Sequence, residues 1–151
     1  MAQPARLALT IRNSVVHGTQ ADAGLHNDVV ANVVNGVNIN SSNLAYAGGN
    51  FIQQSHAVAG VTQTGSSPST ADPLLGALSI YGASSLTLPV LPIGSNSPAH
   101  DAASSCFQAD DLTLLSRDER GATRPYGAQC DAGAYEFDGD YIFANGADAI
   151  L

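Results

Sequence analysis

The chain has no lysine and no tryptophan, and charged residues make up 12% of its 151 positions. Five arginines stand against thirteen acids, for a net charge of −8. Nucleic acid demands a basic footprint, and an anionic membrane surface demands a polybasic segment, so neither partner fits. No apolar run approaches the ~20 residues that span a bilayer as a helix. Two cysteines are present, with no Cys-x-x-Cys spacing and no histidine beside them, so zinc is not expected at Cys106 or Cys130. Without lysine, one common base of polysaccharide lyases is also missing.

The few charges are unevenly placed. Ten of the thirteen acids lie at or after Asp101, and the first hundred residues are almost uncharged. Solubility there must come from Asn, Ser, Thr and Gln, a surface common in secreted repeat folds. The length suits one domain, or one end of a larger one. Met1–Arg6 lacks the apolar region of a signal peptide, and a strand pattern begins almost at once, at Leu7. We therefore expect a piece of a longer protein, with its export signal upstream.

Leu7, Leu9 and Ile11 alternate as one face of a strand. Val15-Val16, Val29-Val30, Val37-Asn38-Ile39, Asn43-Leu44 and Phe51-Ile52 continue as short β-branched or apolar segments, divided by Asn, Ser and Gly. Short strands with asparagine corners suit a parallel β-helix, whose coils stack apolar residues in columns. Asn13, Asn27, Asn40, Asn43 and Asn50 are candidates for a stacked amide ladder. The competing reading is an antiparallel sandwich, with ordinary turn asparagines. The stretch from His56 to Thr70 reads as a loop or loosely ordered edge. Leu86 to Pro92 is apolar but twice broken by proline, so it packs as extended chain rather than as a central strand. Ser97-Pro98-Ala99 has the form of a capped helical turn.

Charge is densest from Arg117 to Glu136, which holds three of the five arginines, four acids and Cys130. A guanidinium offers five donors in a flat fork, suited to a carboxylate or to several backbone carbonyls. We expect Asp118, Arg120, Gly121, Arg124, Asp131 and Glu136 to form a structural knot, with the three carboxylates as acceptors for Arg120 and Arg124. The sharper alternative is a catalytic carboxylate set or a cation site. Arginine beside carboxylates neutralises them more often than it tunes them, which favours the structural reading. Cys106 and Cys130 either remain free thiols in a reducing compartment or close a loop of roughly 25 residues, which would add about 3 kcal/mol and place the protein outside the cytosol. Asp138-x-Asp140 invites calcium, but the twelve-residue loop ending in Glu is missing, and a solvated turn is the plainer reading.

The residues Asp72-Pro73-Leu74-Leu75, Ser97-Pro98-Ala99-His100-Asp101-Ala102, Asp118-Glu119-Arg120-Gly121, Arg124-Pro125 and Cys130-Asp131-Ala132-Gly133-Ala134-Tyr135-Glu136 together resemble a choice-of-anchor Q domain. Such domains close bacterial right-handed parallel β-helix surface proteins. The resemblance implies an all-β fold: terminal β-helix coils over 1–70, a disulfide-closed, loop-rich cap over 71–137, and a short tail over 138–151. It implies export and surface association, and no reaction. His100 stands where the family has an aliphatic residue, Ala103 where glycine is common, and Glu119 where glutamine is usual. The first departure suggests a less apolar packing site under the knot.

Three functions follow as expectations. The first is a non-catalytic module that caps a β-helix and supports surface presentation, with no cofactor. The second is an adhesin-like surface for a glycan, protein or cell-envelope partner, although the aromatic residues are scattered. The third is the C-terminal piece of a polysaccharide-degrading enzyme, for which His17, His26 and Asp28 are the only material here.

Overall fold

The structure is a computed structural model, and it describes residues 6–18, 27–33, 40–81, 88–108 and 112–139. Seven strands occur among these: β1 (Arg6–Arg12), β2 (Val15–Val16), β3 (Val29–Ala31), β4 (Ser41–Ala47), β5 (Phe51–Ile52), β6 (Ser55–Ala57) and β7 (Val61–Gly65). No helix is found among the described residues. Val37-Asn38-Ile39, read as a strand from sequence, falls outside them.

Every strand pairing is parallel, and each links a strand to the one three places later. One sheet has the order β1-β4-β7, a second pairs β2 with β5, and a third pairs β3 with β6. The chain thus visits three sheets in a fixed order twice and then begins again. On the third visit β7 joins the first sheet, and a parallel bridge between Phe51 and Ser69 extends the second. The step is uneven. Arg6 pairs with Ser41, yet Ser42 pairs with Val61. That inequality hides the repeat from any fixed-period reading of the sequence.

Two cores result, one on each side of the β2–β5 sheet. Leu44, Tyr46 and Ile52 form the inner core, with Ile11, Val16, Val29, Ala31 and Val61 against it. Phe51, Tyr81, Val90, Ile93, Ala99, Ala132 and Tyr135 form the outer core, with Val15 against it. Neighbouring residues therefore point opposite ways: Val15 and Phe51 outward, Val16 and Ile52 inward. A sheet covered on both faces wants apolar residues at every position, as β2 and β5 have. The loop-rich region from Leu75 onward lies on the flank of this sheet and shares the outer core with it.

The corner between the first two sheets is built by asparagine. Asn50 is 3% exposed. Its amide donates to the carbonyls of Ile11 and Ala47 and accepts the Ser14 N–H. Asn13 has φ of 45°, the left-handed conformation that asparagine tolerates best after glycine. Its Oδ1 accepts N–H groups from Gly49 and Ser104, and its Nδ2 donates to the Ser105 carbonyl. These amides hold backbone groups of adjacent turns and of the loop region. The expected amide-to-amide ladder is thus replaced, at Asn13 and Asn50, by amide-to-backbone bonds, because the corner leaves several N–H and C=O groups unpaired.

One sequence expectation changes. Of the two readings of His56 to Thr70, loop or loosely ordered edge, the loop gives way to strands: most of β6 lies in it, and so does β7, at the edge of the first sheet. Val61, Thr62 and Thr64 favour extended chain, and the in-register partner β4 supplies the pairing that the stretch does not advertise itself. Ser97-Pro98-Ala99 forms the capped turn expected, with the His100 N–H bonded to the Ser97 carbonyl, and it does not go on into a helix. The Ser97 hydroxyl accepts the Ala99 N–H and donates to the Pro73 carbonyl, and the chain swings away at Asp101, where φ is 52°. The described part of the proline-broken segment, 88–92, behaves as expected. Val90, between Pro89 and Leu91, makes one antiparallel bridge with Ser79.

Candidate functional site

The charge-dense stretch folds into a buried knot. Asp118 starts a tight turn in which its Oδ1 accepts the N–H groups of Arg120 and Ala122, and Gly121 N–H returns to the Asp118 carbonyl. Gly121 has φ of 87°, a conformation that a side chain would strain. The turn aims Arg120 back over its own start. Its Nε lies 2.8 Å from Asp118 Oδ2, its Nη2 donates to the Glu136 carbonyl, and Asp138 lies 3.4 Å away. The guanidinium carbon sits 3.7 Å over the Tyr135 ring, a cation–π contact in a nearly dry site.

Arg124 satisfies the other end. Nε meets Glu136 Oε2 at 2.8 Å, and Nη2 reaches the carbonyls of Asp131, Gly133 and Tyr135. Glu136 is fully buried and accepts two more N–H groups, from Asp131 and Tyr126. Asp118, Arg120, Arg124 and Asp131 are all buried. Buried charges are tolerable only when paired and fully hydrogen-bonded, and here the partners are largely backbone groups of the 118–137 loop itself.

Asp131 departs from its expected role. Neither arginine side chain pairs with its carboxylate; Arg124 takes its carbonyl instead. Oδ1 accepts the Asp101 N–H at 2.7 Å, and Oδ2 accepts the Phe137 N–H. Burial raises its pKa above the ordinary carboxylate value, the Glu136 charge adds to the rise, and the two N–H bonds and His100 oppose it. The reason is positional. The turn at 98–101 delivers the Asp101 N–H to the place an arginine would have needed.

His100, Asp101 and Asp131 form a cluster that sequence reading missed. One donor atom from each lies within 4.8 Å of the others, and these three residues could hold a metal ion. The Cys106–Cys130 disulfide, with Cα atoms 5.6 Å apart, helps bring the 100–106 segment beside residue 131. The bridge settles the thiol question in favour of a bond; no free cysteine is present.

The remaining candidates are dispersed. Asp138 pairs with Arg120, which spends one of the two carboxylates proposed for calcium, and Asp140 lies outside the described residues. His17 Nε2 is 4.0 Å from Asp72, while Asp28 accepts the Gln54 N–H; His26 lies outside the described residues. No helix among the described residues is long and apolar enough to cross a membrane.

Comparison with protein-family models, with curated proteins and with solved structures returns no match.

Proposed function

We propose that this chain is a non-catalytic structural module: the last coils of a right-handed parallel β-helix, closed by a disulfide-bonded, loop-rich region of the choice-of-anchor Q kind, in an exported, surface-presented protein. The observation that carries the reading is the use made of the knot. Arg120, Arg124, Asp118 and Glu136 spend their polar atoms on one another and on the backbone of the 118–137 loop. A group held in that way stabilises a loop; it has no lone pair or proton aimed at a substrate.

Three further observations support it. Strand pairing at every third element is what stacked coils require. Asn13, on the first coil, is bonded to Gly49, Ser104, Ser105 and, through its carbonyl, Gly133, so coils and loop region meet at one residue. The disulfide fits an oxidising compartment.

Hydrogen exchange with and without reductant tests the module. Reducing Cys106–Cys130 should lower the free energy of unfolding by about 3 kcal/mol and weaken amide protection in β2 and β5 together with the loop region. Unchanged protection of β2 and β5 after reduction would show that the loop region is an appendage and does not close the coils.

A further inference from the structure

We propose that His100, Asp101 and Asp131 form a binding site for a divalent transition-metal ion, of which zinc is the natural probe. The site lies beside the knot and is independent of the structural role just described.

The argument begins from charge. Of three buried carboxylates in the 118–137 loop, Asp118 is matched by Arg120 and Glu136 by Arg124. Asp131 is matched by neither, although it is 2% exposed. A buried, unmatched carboxylate is costly unless a cation or a proton joins it. The surroundings favour a cation. Asp101 brings a second carboxylate to the same place and His100 an imidazole, with the donor atoms of all three within 4.8 Å. His100 Nε2 and Asp101 Oδ2 are already 3.8 Å apart.

The three side chains are held in place by other groups. The His100 ring stands edge-on to Phe137, with centroids 5.3 Å apart. Asp101 Oδ1 accepts the Gln129 N–H at 2.8 Å, which leaves Oδ2 toward the imidazole. Gly127 makes room, since a Cβ there would come within 2.5 Å of Asp101 Oδ1. Asp131 is fixed by two N–H donors. Hydrogen-bonded carboxylates and an oriented imidazole are the usual supports of metal ligands. At tetrahedral geometry, zinc ligands about 2.1 Å from the ion stand about 3.4 Å apart. His100 and Asp101 are both partly exposed, and small rotations of their side chains close the gap onto the fixed Asp131. One imidazole and two carboxylates with an open fourth position suit zinc. Calcium, which takes six to eight oxygens, is poorly served by this set.

The test is a calorimetric titration of zinc chloride into the oxidised chain, run in parallel with His100→Phe, Asp101→Asn and His17→Ala. His100→Phe keeps a ring against Phe137, and Asp101→Asn keeps an acceptor for Gln129, so both preserve the packing. His17→Ala removes another imidazole that faces an acid. Thermal melts in chelator establish that each variant folds. The expected result is one saturable site in the wild type and in His17→Ala. Since loss of an outer-shell partner alone costs roughly 10–100-fold, His100→Phe and Asp101→Asn should weaken binding at least about tenfold. Zinc should raise the melting temperature of the wild type and not of these two variants. No zinc binding by the wild type, or equal binding by His100→Phe and Asp101→Asn, overturns the proposal; so does binding that only His17→Ala removes.

Discussion

Arg124 and Glu136 meet at 2.8 Å with almost no water around either, and this pair is the hinge of the whole loop region. Glu136 gathers the N–H groups of Tyr126 and Asp131, and Arg124 gathers the carbonyls of Asp131, Gly133 and Tyr135. Together they tie two ends of a loop that has no strand or helix of its own. Removing one partner leaves the other charge buried and unmatched, at a cost of about 3–5 kcal/mol. Arg124→Ala should therefore lose about that much in guanidinium denaturation. Arg124→Lys should lose most of it too, because an ammonium cannot face a carboxylate and three carbonyls from one plane. A loss under 1 kcal/mol for Arg124→Ala would mean that the loop is held elsewhere.

Asn13 gives a second handle, since it joins backbone strain to hydrogen bonding. Its side chain bonds Gly49, Ser104 and Ser105, and its φ is 45°. Asn13→Ala should cost about 2–4 kcal/mol, from lost hydrogen bonds of ~1 kcal/mol each and a left-handed alanine at ~1 kcal/mol. Asn13→Gly loses the same bonds without the strain, and should be milder by about 1 kcal/mol. Equal melting temperatures for the two variants would show that φ at this corner relaxes once the amide is gone.

Parts of this fold were legible in the sequence for physical reasons. Val15-Val16 and Phe51-Ile52 are apolar at every position because both faces of their sheet are covered, and they read as strands at once. Arg120 and Asp118 are two residues apart around a turn, so their pairing needed only local geometry. Other parts were hidden because they depend on distant backbone. Val61–Gly65 carries a polar pattern, and only its register against β4 makes it a strand. That Asp131 would lose the arginines could not be read from its neighbours, since the Asp101 N–H that occupies Oδ1 comes from thirty residues away. That His100 stands with two carboxylates was hidden for the same reason. Its partners assemble only after the 98–101 turn and the disulfide have placed it.

Tyr46 offers a prediction of the opposite sign. It is 5% exposed within the inner core, and its hydroxyl has no hydrogen-bond partner among the described residues. An unsatisfied buried hydroxyl costs about 1–3 kcal/mol relative to a satisfied one. Tyr46→Phe should therefore be neutral or raise the melting temperature, whereas Tyr46→Ala should lose about 3–5 kcal/mol through the cavity it leaves. A Tyr46→Phe variant less stable by more than about 1 kcal/mol would show that the hydroxyl is bonded in solution, to water or to a ligand.

Asp131 sets a pH dependence whose sign can be worked out. Its ordinary pKa of 3.8 is raised in the folded protein, chiefly by burial. Between the ordinary value and the raised one, the folded state holds more protons than the unfolded chain, so stability from this residue falls as pH rises. The contribution is complete below about pH 3.8 and is lost as pH passes through the raised value. Asp131→Asn removes the titration while keeping one acceptor oxygen. It should be less stable than the wild type throughout, because one of the two N–H donors from Asp101 and Phe137 then meets an amide NH2. The deficit should be largest below the ordinary value and shrink as pH rises through the raised one. His100 faces the site and is present in both proteins compared. Glu136 and Asp101 also face the site, and both are present in the two proteins compared. Urea unfolding of both proteins in chelator, across that window, measures the difference directly. A deficit that grows with pH would mean that ionised Asp131 is stabilised by its two N–H donors more than it is penalised by burial.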